Sequence, residues 1–139
     1  MQSLEWKTAD LVFEPNIDAD HRKLFEDLEK LRRAVELGNP NGQAALHSWH
    51  LSKSFAAHFA GEERLMRRSD YPGLDWHERQ HHAGRKKMAR LASAVHAKNQ
   101  TAMDQALQEL AQWLTGHIGL ADRMFAAHLR NDLRCRFVS

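Results

Sequence analysis

Four times along this chain, apolar residues recur at alternating steps of three and four, the spacing that puts them on one stripe of an α-helix. The first stripe is His21, Leu24, Leu28, Leu31, Val35, and the second Leu51, Phe55, His58, Glu62, Leu65. The third is His77, His81, Gly84, Met88, Leu91, Val95, and the fourth Met103, Leu107, Leu110, Leu114, His117, Ala121, Phe125. These stripes predict helices over about 18–37 and 43–68, from 75 and from 101. Gly38 stands where a helix C-terminus takes a left-handed residue, and Asn39-Pro40-Asn41-Gly42 reads as a turn. Asp75 followed three residues later by Glu78 has the pattern of a capping box, with Leu74 as its hydrophobic staple. Strand alternation is absent apart from short apolar pieces at 11–13 and at Phe137-Val138. With short connections, the expected fold is all-α: an up-down-up-down antiparallel four-helix bundle. Residues 18–130 form the bundle of a single 1–139 domain. Residues 1–17 are expected as an irregular arm laying Trp6, Leu11, Phe13 and Ile17 over it, and 131–139 as a short tail.

Length and charge narrow the function classes. At 139 residues and 16.0 kDa there is room for one core, and 42% apolar against 27% charged residues excludes a disordered chain. No apolar run reaches the roughly 18 residues that cross a bilayer, and the N-terminus has no basic start followed by an apolar stretch. A cytoplasmic protein is expected. The net charge is +2 with both signs interspersed, and only Arg130, Arg134 and Arg136 cluster, so a nucleic-acid partner is not expected. Cys135 is the only cysteine; it can make no internal disulfide, excludes Cys-rich metal sites, and reads as an incidental thiol.

Histidine is what packing alone does not explain. The chain has ten, and every helix places one or more on a stripe otherwise built of Leu, Met and Phe; two stripes or their borders also carry a carboxylate. A buried polar group without partners costs a few kcal/mol, so something must compensate these. His21, His77 and His81 lie near the starts of the first and third helices, while His58, Glu62, His117 and Asp122 lie late in the second and fourth. In an antiparallel bundle those positions share one end, so seven potential ligands converge on one level of the core. His58/Glu62 and His77/His81 are four apart, one turn of helix. His117 and Asp122 are five apart, about 140° off on an ideal helix, so Asp122 needs a wider contact or a local π-bulge to turn inward.

Five imidazoles and two carboxylates exceed what one zinc takes and are too nitrogen-rich for magnesium or calcium. Two metals bridged by the carboxylates use all seven, and imidazole suits iron, copper, nickel and zinc alike. The Glu-x-x-His pairs of ferritin-like di-iron sites have one match, Glu78 to His81, without the other acidic ligands. His77-Glu78-Arg79-Gln80-His81 also matches the H-E-x-x-H of zinc peptidases, but Glu78 falls off the stripe in the first turn, where it caps and is solvated. His47 and His128 fall on inner stripes far from the cluster, and His50, His82 and His96 fall off the stripes.

At this level of detail the chain resembles the hemerythrin family, specifically its bacterial single-domain members. The resemblance rests on Ile17-Asp18-Ala19-Asp20-His21, on His58-Phe59-Ala60-Gly61-Glu62-Glu63-Arg64-Leu65-Met66, on His77 to His81, and on Trp113-Leu114-Thr115-Gly116-His117-Ile118 with Asp122. It implies a non-haem di-iron centre with an oxo or hydroxo bridge. His77, His81 and His117 would hold one iron, His21 and His58 the other, and Glu62 and Asp122 would bridge them. Asp20 stands where Gln is common in that family, and Pro15-Asn16 departs from the usual entry, which bears on the groups behind His21. The implied function is reversible dioxygen binding for storage, transport or delivery, with no catalytic residue. Leu114 and Ile118 would form an apolar ligand pocket without an acid, which favours release of dioxygen over its turnover. An enzyme or scavenger acting on peroxide or nitric oxide, and a sensor of oxygen or iron, are the competing classes. The former lacks an added catalytic acid and the latter an output domain.

Overall fold

The computed structural model describes the backbone of residues 6–138 and the side chains through residue 132. Its helices are α1 (Pro15–Glu36), α2 (Gln43–Arg68), α3 (Leu74–His96), α4 (Gln100–His117) and α5 (Arg123–Val138). A π-helical segment, Ile118–Asp122, joins α4 to α5 with right-handed helical dihedrals on both sides, so the three form one rod, the fourth of the bundle. α1 packs on α2, α2 on α3, α3 on α4, and α1 on α4, which closes the ring. The described residues contain no strand and no helix long and apolar enough to cross a membrane.

Local chemistry sets the helix ends. Pro15 occupies the first turn of α1, where its missing N–H is not needed, and the Glu14 carboxylate accepts from the Ile17 N–H at 2.7 Å. The helix therefore begins earlier than residue 18. Gly38, at φ 80°, takes the left-handed position after α1, and the Asn39 N–H reaches back to the Ala34 carbonyl at 2.7 Å. The same Asn39 then accepts from the Ala44 N–H at 2.8 Å to begin α2. At α3 the expected capping box is absent: the helix starts at Leu74 after Gly73, with no side-chain cap, because the Glu78 carboxylate is drawn to the Arg67 guanidinium across the α2–α3 turn. Asn99 caps α4 by accepting from the Ala102 N–H at 3.0 Å.

Two further expectations are corrected. The arm buries Val12, not Phe13: the Val12 N–H donates to Asp18 at 2.8 Å, and a φ of 65° at Phe13 turns that ring out to 65% exposure. The backbone read as a tail from residue 131 is helical through Val138; the Cys135, Arg134 and Arg136 side chains lie outside the described residues. The inner stripes otherwise match the core, with Leu24, Leu28, Leu31, Leu51, Leu91, Leu107 and Leu110 buried. The start of α2 is an exception: Ala44 and Ser48 face inward and His47 is half-buried.

Candidate metal centre

At the end of the bundle shared by the starts of α1 and α3 and the ends of α2 and α4, seven polar residues are buried together. His21, His77, His81 and Asp122 have no exposed surface, and His58, Glu62 and His117 have 6% or less. His21 comes from the second turn of α1, His58 and Glu62 from one face of α2, and His77 and His81 from the first turns of α3. His117 ends α4 and Asp122 ends the π segment. The wider π turn resolves the five-residue spacing, because it brings both side chains inward and sets His117 Nε2 3.0 Å from Asp122 Oδ1.

Each carboxylate straddles the cluster. Glu62 Oε1 lies 3.1 Å from both His77 Nε2 and His81 Nε2, while its Oε2 lies 2.9 Å from His58 Nε2 and 3.8 Å from His21 Nε2. Asp122 Oδ1 lies 2.9 Å from His77 Nε2 and 3.0 Å from His117 Nε2, while its Oδ2 lies 2.8 Å from His21 Nε2. The potential ligand atoms thus form two groups, His77, His81 and His117 with both carboxylates, and His21 and His58 with the same two.

Hydrogen bonding does not account for these contacts. Of the ring-nitrogen contacts to the two carboxylates, only His81 Nε2 to Glu62 Oε1 has hydrogen-bond geometry. The Nε2 atoms of His21, His58, His77 and His117, Glu62 Oε2 and both Asp122 oxygens are buried without a hydrogen-bond partner. Native cores leave few such atoms, since each costs its full desolvation energy. Lone pairs that converge on shared points, and not on one another's hydrogens, are arranged as ligands around cations are. The donor set, imidazole nitrogens with carboxylate oxygens, suits a transition metal.

Without a cation the cluster compensates its two carboxylates with protons. Burial opposes protonation of His58, but the adjacent carboxylates of Asp20 and Glu62 overcome it and lift its pKa to about 10. His77 rises to about 9, with burial again outweighed, here by Asp122 and Glu62. His21 is also raised against its burial, by Asp122 and Glu62. For His81 burial prevails over Glu62 and the pKa falls. Glu62 and Asp122 stay well below the carboxylate range despite burial, because imidazoles face both.

A second layer fixes the rings, and the sequence reading missed most of it. Asp20 turns toward α2, not toward its neighbour His21: its Oδ2 lies 3.3 Å from His58 Nδ1. Glu63 lies 3.7 Å from His81 Nδ1 and is held by Arg85 at 2.8 Å. Phe59 stacks on His81 with ring centroids 4.1 Å apart, and Trp113 stacks on His117 at 4.6 Å. Gly84 makes room for that indole, since a Cβ there would lie 2.4 Å from the Trp113 ring. Trp6 covers His21 at 6.2 Å. Gly84 on an apolar stripe and Asp20 before the first ligand were the signs of this layer visible in the sequence.

The remaining histidines stay apart. His50, His82 and His96 are exposed, and His128 Nε2 donates to the Ser69 carbonyl at 2.8 Å. Glu78 pairs with Arg67 while His77 and His81 face the core, so the peptidase-like string does not form a peptidase site. Leu114 and Ile118 are both buried, at 1% exposure.

Fold and donor set together define a metal-binding four-helix-bundle protein. The comparison with known families specifies it further: the hemerythrin HHE cation binding domain matches residues 13–129, and the chain belongs to that family. It is also similar to a myohemerythrin of Riftia pachyptila, with 28% identity over 124 residues, 89% of this chain and 92% of the relative.

Proposed function

We propose that this chain binds dioxygen reversibly at a non-haem di-iron centre in the cytoplasm, storing, transporting or delivering oxygen, and is not an enzyme. The observation that carries this reading is the division of five histidines into three and two around two straddling carboxylates. His77, His81 and His117 would hold one iron, His21 and His58 the other, and Glu62 and Asp122 both. The first group would offer a metal three imidazoles and the second only two, so the two-histidine side is where the protein would supply fewer donors. Two ferrous ions held by these residues would supply the electrons that dioxygen binding needs.

The chain's own residues do the rest. Asp20 holds the proton of His58 on Nδ1, which leaves Nε2 free to act as a ligand. Leu114 and Ile118 bring no acid and, as buried hydrocarbon, would exclude water from the ligand pocket assigned to them. Phe59 and Trp113 fix the rings of His81 and His117 by stacking.

The test is iron analysis with an optical spectrum. After anaerobic iron loading, two irons per chain and a visible charge-transfer band that appears with oxygen and vanishes on its removal are expected. One zinc and no iron would overturn the reading. Steady consumption of peroxide or nitric oxide without a reversible band would favour the enzyme or scavenger. Leu114→Ala should keep two irons while the oxygenated band decays about tenfold faster, the equivalent of about 1.4 kcal/mol off the barrier. An unchanged decay would remove Leu114 from the ligand pocket.

A further inference from the structure

Among the described residues, four oxidisable rings touch the clustered histidines, and one of them is placed unlike the rest. Trp6 meets His21 at 6.2 Å, and Tyr71 and Trp76 each meet His77 at 6.4 Å, all with ring planes turned by 52° or more. Trp113 instead lies face to face on His117, with centroids 4.6 Å apart and 15° between the planes. It also meets Phe59 at 5.9 Å, and Phe59 is stacked on His81. The remaining indole, Trp49, precedes His58 by nine residues, about 14 Å along α2, and is 53% exposed at the side of His50.

Stacking alone does not call for an indole at position 113, because a phenyl ring serves that purpose on His81. The larger ring also has a cost. Gly84 sits inside α3, where glycine is about 1 kcal/mol less favourable than alanine. A Cβ there would strike Cη2, Cζ3 and Cζ2 of Trp113 at 2.4–2.8 Å, the part of the indole farthest from its backbone. What an indole has and a phenyl lacks is an electron-rich ring that gives up electrons readily. Trp113 is half-buried, so the ring that touches His117 also meets water.

We infer that Trp113 is an oxidation site that spares the ligands: when a hydroperoxide meets the fully oxidised centre, the electrons it takes are drawn through His117 from the Trp113 ring. The inference rests on the two-iron reading above. Bound iron would supply the redox couple between ring and peroxide. The indole loses two electrons and a C–H bond, gains a C–O bond to a hydroxyl from water, and releases two protons. Hydrogen peroxide takes those two electrons and two protons, its O–O bond breaks, and two waters form. The net change is one indole and one hydrogen peroxide to one hydroxylated indole and one water. A carrier that returns its ligand has no substrate on which to spend such an oxidant, so the nearest oxidisable ring receives it.

The test is to treat oxidised, iron-loaded protein with about two equivalents of hydrogen peroxide per chain and to place added oxygen on single residues by peptide fragmentation mass. Trp113 should gain oxygen at least about tenfold more than the more exposed Trp49. In zinc-loaded protein that preference should vanish, because zinc has no redox chemistry. Two variants separate oxidation from packing, since phenyl and phenol are alike in size and differ in how readily they are oxidised. Per equivalent of peroxide, Trp113→Phe should lose iron about fivefold faster than Trp113→Tyr, with the added oxygen moved to His117. Equal iron loss in the two variants would overturn the inference, as would a wild-type preference for Trp49 or one that persists with zinc. If neither variant holds iron, the wild-type ratio of Trp113 to Trp49 decides alone. Wild-type protein that takes up no iron overturns the two-iron reading and this inference with it, whereas two irons and a reversible oxygen band without Trp113 oxidation overturn this inference only.

Discussion

At the end of the bundle near Gly38 and Lys98, Leu31, Val35, Leu91, Val95, Met103 and Leu107 bury hydrocarbon against hydrocarbon, all at 5% exposure or less. At the other end of the same helices, equally buried positions hold five imidazoles and two carboxylates. The first end gains stability from every contact it makes. The second contains polar atoms that lack hydrogen-bond partners and would be a net cost to folding unless a ligand satisfies them. One bundle therefore divides into an end that holds the fold and an end that the fold holds in place.

Metal removal should produce the largest contrast between them. A ligand that binds only the folded state stabilises it by about 4 kcal/mol when its free concentration is 1,000 times its dissociation constant. Chelation should therefore lower the melting temperature sharply, and the loss should be local. Amide exchange should quicken at the start of α3 and around Ile118–Asp122 while the leucine end stays protected. The opposite perturbation, Leu31→Ala, removes a fully buried side chain and should cost about 2–5 kcal/mol with metal stoichiometry unchanged from wild type. Uniform loss of protection on chelation, or loss of metal in Leu31→Ala, would show that the two ends are one cooperative unit.

How far each end could be read from the sequence follows the same division. Periodicity locates the leucine end because hydrophobic burial depends on spacing alone, and the stripes through Leu28, Leu91 and Leu107 are indeed buried. The polar end was also legible as residues on those stripes, and the five-residue step from His117 to Asp122 flagged the π segment. What spacing could not supply was orientation across helices. Asp20 belongs to His58 on α2, although His21 is its neighbour in the chain, and Trp113 reaches into the notch at Gly84 on α3. Local patterns also lost to tertiary partners: Glu78 leaves its expected capping role for Arg67, and the left-handed turn at Phe13 exchanges Phe13 for Val12 in the core.

pH should separate metal-free from metal-loaded protein. In the metal-free chain the pKa of His58 is raised to about 10 and that of His77 to about 9, from an ordinary value near 6.5. A raised pKa contributes stability that is fully present below the unfolded value and is lost as pH climbs through the folded one. Glu62 and Asp122 are lowered, so their contribution is present above about 4 and is lost as pH falls toward their folded values. The metal-free protein should thus weaken from about pH 6.5 toward pH 9 to 10, and also toward low pH, where His81, whose pKa burial lowers, adds to the loss. Metal needs neutral imidazoles, so its affinity should rise over the same interval. Melting curves at pH 6 and pH 9, with and without metal, should show the stabilisation by metal growing with pH. A gap that narrows would mean that protons and metal do not compete for these rings.

The smallest effect expected is at the histidines left over, and it defines how sharply the metal end is bounded. His128 follows His117 by eleven residues, about 16 Å along a helix, and His47 precedes His58 by the same number. Because α2 and the fourth rod both run toward the metal end, the two lie on opposite sides of the centre, His47 back toward the leucine end and His128 beyond it. Neither can reach a cation there. His128 instead donates to the Ser69 carbonyl at 2.8 Å and packs beside Tyr71 with ring centroids 5.0 Å apart, so it ties the end of the fourth rod to the α2–α3 turn. His128→Ala should remove one hydrogen bond and cost about 1 kcal/mol of unfolding free energy. Metal stoichiometry should stay at the wild-type value in His128→Ala and in His47→Ala. A drop in bound metal in either variant would mean that the centre extends along the bundle axis, and the boundary between the two ends would have to be moved to include it.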